Sequence, residues 1–155
     1  MDECARILVV DDDESIRKIL STILEEEGYV VDTAENGKEA IDKSTVKFYN
    51  LALIDVRLPD IEGVILLAKL KETVPRMRKI IITGFPSIQN AIQAVNNKAD
   101  GYMLKPFEID KILEVIKEQL KKQREEKEYN QEKVTEFIET RVRELQMEKA
   151  SGQSR

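Results

Sequence analysis

Five short apolar runs punctuate the first two thirds of the chain, and each gives way to polar or turn-forming residues. They are Ile7-Leu8-Val9-Val10, Tyr29-Val30-Val31, Leu51-Ala52-Leu53-Ile54, Ile80-Ile81-Ile82 and Tyr102-Met103-Leu104. Runs of this length without alternation read as strands covered on both faces, as in a parallel sheet. Helical spacing follows each of them. Ile16, Ile19, Leu20, Ile23 and Leu24 give the first helix, with Gly28 as its stop; Ala40, Ile41 and Val46 give a weaker second stripe after the Asn36-Gly37 turn. Val64, Leu67, Ala68 and Leu70 place a third helix, ended by Pro75, and Ile88, Ala91, Ile92 and Val95 form the apolar face of a fourth that opens near Pro86. A last helix starts near Glu108 and carries Ile109, Ile112, Leu113, Ile116 and Leu120. Strict alternation of strand and helix predicts an α/β fold with a parallel sheet. Its connections are right-handed, so helices cover both faces.

From Lys121 the composition shifts to Glu, Lys, Gln and Arg, with no Gly or Pro before Gly152. The pattern predicts two parts: residues 1–122 as a globular domain, and residues 123–155 as a helical extension of its last helix, frayed after Ala150. After a polar stretch relieved only by Tyr129, an apolar stripe restarts at Val134, Ile138, Val142 and Leu145. Two heptads of stripe do not make a coiled coil by themselves, yet an isolated helix is marginal without a partner for its apolar face. The stripe therefore favours a homodimer paired through the C-terminal helix. The alternative is a disordered or partly helical tail left by removal of an output domain.

Composition narrows the function. With 155 residues, 41% hydrophobic and 35% charged, the chain can bury a real core beneath a highly charged surface. Cys4 is the only cysteine, so no internal disulfide forms. No stretch approaches the apolar length of a membrane span and no signal-peptide pattern opens the chain, so the expected compartment is the cytoplasm, with no membrane partner. The net charge is −5, and the excess acid lies in residues 1–110, which carry 20 acidic and 14 basic residues. An acidic domain without a basic stripe argues against direct nucleic-acid binding. The chain contains no histidine, which excludes His acid–base catalysis, His metal sites and a phosphohistidine of its own.

The candidate chemistry lies where the strands end. In a parallel sheet the carboxyl ends share one edge, and ligands bind in the crevice outside it. Strand one ends in Asp11-Asp12-Asp13, strand three in Asp55, strand four in Thr83 and strand five in Lys105. Each alone has a bland explanation as a helix cap, a turn residue or a surface lysine. Together they make a cluster of carboxylates that is costly without a cation. Mg²⁺ fits, because it uses one or two carboxylates, keeps waters and accepts phosphoryl oxygens. Thr83 and Lys105 supply a hydroxyl and a mobile point charge for those oxygens. The set reads as a site for phosphoryl transfer onto a carboxylate nucleophile.

Four stretches, in order, carry a resemblance: Ile7 to Asp13, Leu53 to Asp60, Ile81-Ile82-Thr83-Gly84, and Gly101 to Phe107. Over about residues 5–121 the chain resembles the receiver domain of two-component response regulators, and the segments Ile81 to Phe85 and Leu104 to Phe107 resemble receivers attached to sigma-54-type activators. The resemblance implies a flavodoxin-like, doubly wound five-stranded sheet of order 2-1-3-4-5, with the extended C-terminal helix added. It implies Asp55 as phospho-acceptor, with Thr83 and Lys105 assisting, and Mg²⁺ held by Asp11, Asp12, Asp55 and the Arg57 carbonyl. Thr83 and Tyr102 match the switch positions, and Lys105–Pro106 matches a cis peptide. Arg57 and Phe85 fill variable positions beside the site. Asp13 stands where glutamate is more common, and Lys98 stands before Ala99 where many relatives have glycine, so strained backbone is expected there. The implied partner is a sensor histidine kinase, and the chain is not an enzyme beyond Mg²⁺-dependent self-phosphorylation and autodephosphorylation. Two alternatives remain open at this point. One is the input fragment of a longer transcription activator. The other, more distant, is an aspartate-nucleophile phosphatase resembling the haloacid dehalogenase family, suggested by Asp11 and Asp13 but lacking that family's threonine at Ser15.

Overall fold

The structure is a computed structural model that describes residues 4–153. Strands β1 (Arg6–Val10), β2 (Val30–Ala34), β3 (Leu51–Asp55), β4 (Arg78–Thr83) and β5 (Gly101–Leu104) alternate with helices α1 (Glu14–Glu26), α2 (Gly37–Val46), α3 (Gly63–Lys69), α4 (Ile88–Asn96) and α5 (Ile109–Gln153). The five strands form one sheet of order β2-β1-β3-β4-β5, every pair parallel. This is the flavodoxin-like architecture that the motifs implied. In register, Val10 pairs with both Ala34 and Ile54, Asp55 with Ile82 and Thr83 with Leu104, so the strand ends are level along one edge.

Because strand side chains alternate, each apolar run feeds two cores. Ile7, Val9, Leu51, Leu53, Ile80 and Ile82 point to one face, where Leu20 and Leu24 of α1 and Ile112, Ile116 and Leu120 of α5 cover them. Leu8, Val10, Ala52, Ile54 and Ile81 point to the other, against Ala40 of α2, Val64, Leu66 and Leu67 of α3, and Ala94 of α4. The caps are local. Asp13 accepts from the amides of Ser15 and Ile16, Asn36 from Glu39, and Ser87 from Asn90. Gly28 follows α1 at φ +93°, the left-handed turn that ends helices. Lys98 takes φ +64°, so the strain expected beside Ala99 is present.

One expected stripe is mostly exposed. Ile88, Ile92 and Val95 of α4 are 81%, 54% and 74% exposed, and α4 meets the core through Ala94 instead. Val46 at the end of α2 is likewise exposed. Periodicity shows that a helix has an apolar side, but not which side the sheet covers. A small residue allowed α4 to approach with the opposite side outward. The third helix also stops earlier than Pro75 suggested, with Leu70 as its cap residue.

The described residues divide into two units, with the boundary between Gln123 and Arg124. In the first, the amino ends of the strands are tied by polar groups. Gln123 donates to the carbonyls of Asn50 and Arg76, both at 2.8 Å, and accepts from the Asn50 amide at 3.0 Å. Asp100 takes Arg76 at 2.5 and 2.9 Å and the Lys79 amide at 2.9 Å. Burial pushes the Asp100 carboxyl up, but these bonds outweigh it and hold the group below the ordinary carboxylate range. In the second unit, α5 carries the pairs Lys133–Glu136 and Arg141–Glu144, while Val134, Phe137, Ile138, Val142 and Leu145 are exposed.

Candidate functional site

β3 lies at the centre of the sheet, and its last residue is Asp55. Four apolar neighbours bury the strand completely, so the carboxylate emerges at the rim with only 8% of its surface exposed. The chain then turns within a tight loop. The Gly63 amide donates to the Val56 carbonyl at 2.7 Å, and a Cβ at Gly63 would lie 2.1 Å from the Asp55 carbonyl oxygen. Only glycine allows α3 to begin so close to the acid.

Asp11, just past the end of β1, is 3% exposed and stands beside it. One oxygen each from Asp11, Asp12 and Asp55 lie within 4.8 Å of one another. Lys105, after β5, reaches in with its Nζ 2.7 Å from Asp11 Oδ2 and 3.5 Å from Asp55 Oδ1. Its backbone amide is fixed by the Thr83 carbonyl at 2.8 Å, and the Lys105–Pro106 peptide is cis as expected.

The charges do not balance. Burial pushes the Asp55 carboxyl above its ordinary value, the Asp11 charge adds to the rise, and Lys105 offsets only part of it. Burial pulls Lys105 the other way, yet the bond and charge of Asp11, with Asp55 behind, outweigh that and raise it. One ammonium is thus shared by two buried carboxylates, with exposed Asp12 adding a third acid. Three hard oxygen donors within a few ångströms, short of positive charge and open on the Asp12 side, suit a hard divalent cation that keeps part of its water shell. The donor set fits Mg²⁺; it does not suit a soft metal, since it offers no sulfur or imidazole.

The remaining predicted residues take separate places. Thr83 is fully buried at the end of β4, where its Oγ1 accepts from the Phe85 amide at 3.0 Å. Tyr102 does not join the acids. It packs against the core shared by α2, α3 and α4, and its hydroxyl is buried without a hydrogen-bond partner. Arg57 lays its guanidinium 3.6 Å from the centre of the Phe85 ring. Asp13 is occupied as the α1 cap, so it cannot complete the acid pair with Asp11 that the phosphatase reading needs.

Two contributors went unnoticed in the sequence. Arg17 donates through Nη1 to the Asp11 carbonyl at 2.8 Å; its only signal was that it and Lys18 are the first cations after the acids that open α1. Asp60 accepts from the amides of Gly37 and Lys38 at 2.8 and 2.9 Å, pinning the loop after Asp55 to the start of α2. These amides hold the Asp60 carboxyl below its ordinary value. Its signal was an acid after Pro59, readable only once α2 is known to lie opposite.

Known proteins resemble this chain in sequence and fold. A family model described as the response regulator receiver domain matches residues 7–117. The uncharacterized transcriptional regulatory protein YkoG of Bacillus subtilis is 36% identical over 119 residues, covering 77% of this chain and 52% of that protein. The transcriptional regulatory protein ZraR of Klebsiella oxytoca is 36% identical over 114 residues, 74% of this chain and 26% of its own length. The chain therefore spans about half of one curated relative and a quarter of the other. A CheY-like receiver domain protein of Methanospirillum hungatei JF-1 superposes with TM-score 0.77 at 44% identity, covering 80% of this chain and 99% of that one. The beryllofluoride-activated NtrC4 receiver domain dimer superposes with TM-score 0.71 at 41% identity, covering 76% and 98%. With the matched model spanning the whole sheet and the acid rim at its carboxyl edge, the chain belongs to the response regulator receiver domain family.

Proposed function

We propose that this receiver takes a phosphoryl group onto Asp55 from the phosphohistidine of a sensor kinase, or from a small phosphodonor, in the presence of Mg²⁺. The observation that carries the reading is the pair of buried acids, Asp55 and Asp11, sharing Lys105 at the sheet edge. An Asp55 oxygen attacks phosphorus, the P–N bond breaks, and the leaving imidazole keeps the electron pair and takes a proton from water. Asp11, Asp12, Asp55 and the Arg57 carbonyl would hold Mg²⁺, which when bound neutralises the phosphoryl oxygens. Lys105 would transfer part of its attachment from Asp11 to a phosphoryl oxygen. Hydrolysis of the acyl phosphate by water releases inorganic phosphate and resets Asp55, and this self-phosphorylation and autodephosphorylation are the only chemistry proposed for the chain.

The response follows from Thr83 and Tyr102. Phosphorylation adds a charge of about −1.5 to −2. Drawing the Thr83 hydroxyl towards it would release the Phe85 amide and open space beside Tyr102, whose unpaired hydroxyl gains by moving outward. The change favours a state already accessible to the free chain, by as much as the two states differ in affinity for the phosphoryl group. The output is a protein contact or an attached domain, and the short span of ZraR that is matched supports the role of input to a transcription activator. Residues 1–122 are the receiver and its extension stays helical to Gln153, past Ala150 where fraying was expected, residues 154–155 lying outside the described residues; the exposed Val134, Ile138, Val142 and Leu145 pair two copies.

Amide NMR with Mg²⁺ and beryllofluoride, a stand-in for the phosphoryl group, tests this reading. Shifts at Asp55, Thr83 and Lys105 should be joined by large distal changes across residues 84–107. Changes confined to residues 11–13 and 55–60 would contradict the switch.

A further inference from the structure

Asp11 and Asp12 stand on irregular backbone between the end of β1 and the Asp13 cap of α1. Past the Asp11 amide the sheet ladder ends, and mutual repulsion of the acids acts to spread the segment. Its side-chain end is fixed by the Asp13 amide, which donates to Asp11 Oδ1 at 2.9 Å, and by Lys105. Its main-chain end rests on the Asp11 amide, which donates to the Ala34 carbonyl at 3.1 Å, and on one residue that acts twice. The Arg17 amide donates to the Asp13 carbonyl at 3.1 Å, and the Arg17 guanidinium donates to the Asp11 carbonyl at 2.8 Å. That side chain is only 16% exposed, and its second terminal nitrogen lies 3.9 Å from Glu35 Oε2 beyond β2.

A peptide plane is rigid, so holding its carbonyl fixes the orientation of the whole unit. The plane held by Arg17 joins Asp11 to Asp12. Its orientation sets where the Asp12 Cα stands and from which direction the exposed Asp12 carboxylate reaches the other two oxygens.

We propose that Arg17 is a positioning residue for the cation site: by clamping the 11–12 peptide it keeps Asp12 within reach of Asp11 and Asp55. The inference rests on the reading of Asp55 as a Mg²⁺-dependent acceptor. A competing role, simple neutralisation of the acids, makes the opposite prediction. A guanidinium beside a cation site repels the cation, so a purely electrostatic Arg17 would weaken Mg²⁺ binding and its removal would strengthen it. A purely structural Arg17 would alter thermal stability and leave the affinity of the folded protein unchanged.

The experiment titrates Mg²⁺ into the metal-free full chain, following the amides of residues 11–13 and 55–57, for the wild type, Arg17→Met and Arg17→Lys, with a thermal melt of each. Arg17→Met should bind about tenfold more weakly, the equivalent of one charge-assisted hydrogen bond. Arg17→Lys, which keeps a donor and the charge but loses the fork, should fall between the two. If folded Arg17→Met binds as tightly as the wild type or more tightly, the proposal is overturned. Should Arg17→Met fail to fold, Arg17→Lys decides: an affinity equal to the wild type overturns the proposal, and a weaker one supports it. A wild type that binds no Mg²⁺ would overturn the receiver chemistry itself, a result distinct from normal wild-type binding with unchanged variants.

Discussion

Replacing Gly63 by alanine should damage both the fold and the acceptor, although it adds one methyl group. Helix propensity alone favours alanine by up to about 1 kcal/mol, so stability rises unless something opposes it. The opposing term is geometric. The new Cβ would lie 2.1 Å from the Asp55 carbonyl oxygen, 2.8 Å from its carbon and 3.0 Å from the Val56 Cα. All three are backbone atoms of the central strand and its exit, so no side chain can swing aside. Relief requires α3 to move back by roughly 1 Å, which breaks the 2.7 Å bond from the Gly63 amide to the Val56 carbonyl. Overpacking strain of about 1–3 kcal/mol and a lost hydrogen bond of about 1 kcal/mol outweigh the propensity gain. The net loss is about 1–3 kcal/mol, or a fall in Tm of roughly 3–12 °C for a domain of this size. Gly84 is the control, because a Cβ there would meet Lys105 at 3.7 Å, an ordinary contact, and Gly84→Ala should be nearly neutral. Urea unfolding and thermal circular dichroism of both variants measure the difference. A Gly63→Ala protein within about 0.5 kcal/mol of the wild type would refute the reasoning, since ordinary surface substitutions reach that level.

Further outcomes follow from the same site and from the tail. Because burial and the Asp11 charge raise the folded-state pKa of Asp55, its ionised form destabilises the metal-free protein above that pKa, while protonation removes the cost at low pH. Metal-free Asp55→Asn should therefore be more stable than the wild type at neutral pH, with the gap closing as pH falls through the raised pKa of Asp55 towards the ordinary carboxylate range and gone below it; a pH-independent gap in urea titrations would refute this. The Arg57–Phe85 stack should slow loss of the phosphoryl group by hindering in-line water, so replacing both residues with alanine should shorten the half-life of the phosphorylated protein, and an unchanged half-life rejects the role. Light scattering should find the full chain dimeric and a version ending at Lys122 monomeric; two monomers at tens of micromolar would end the pairing hypothesis.

The architecture was legible because parallel strands buried on both faces leave unbroken apolar runs, and the acids stand out sharply at their ends. Asp55, Asp11 and Lys105 could be placed together from the sequence, since parallel strands put their carboxyl ends on one edge. Side-chain direction was less accessible. The α4 stripe of Ile88, Ile92 and Val95 is real but faces outward, because Ala94 makes the core contact and nothing in the spacing says which side docks. Arg17 and Asp60 were invisible for a related reason: each acts on a backbone group, the Asp11 carbonyl or the Gly37 and Lys38 amides, and main-chain partners leave no mark on residue type. The close approach at Gly63 also depends on where α3 begins relative to Asp55, a distance set by the tertiary fold.

The central claim is that the rim of acids accepts a phosphoryl group on Asp55. Incubating the full chain with Mg²⁺ and an acyl phosphate, then mapping the modified residue by mass spectrometry, tests it most directly. One phosphoryl group should appear on Asp55, fail to form when Mg²⁺ is chelated beforehand, and be absent from a folded Asp55→Asn variant. Undiminished uptake by that variant, or a group carried on Asp11, Asp12 or Asp60 in the wild type, would contradict the account.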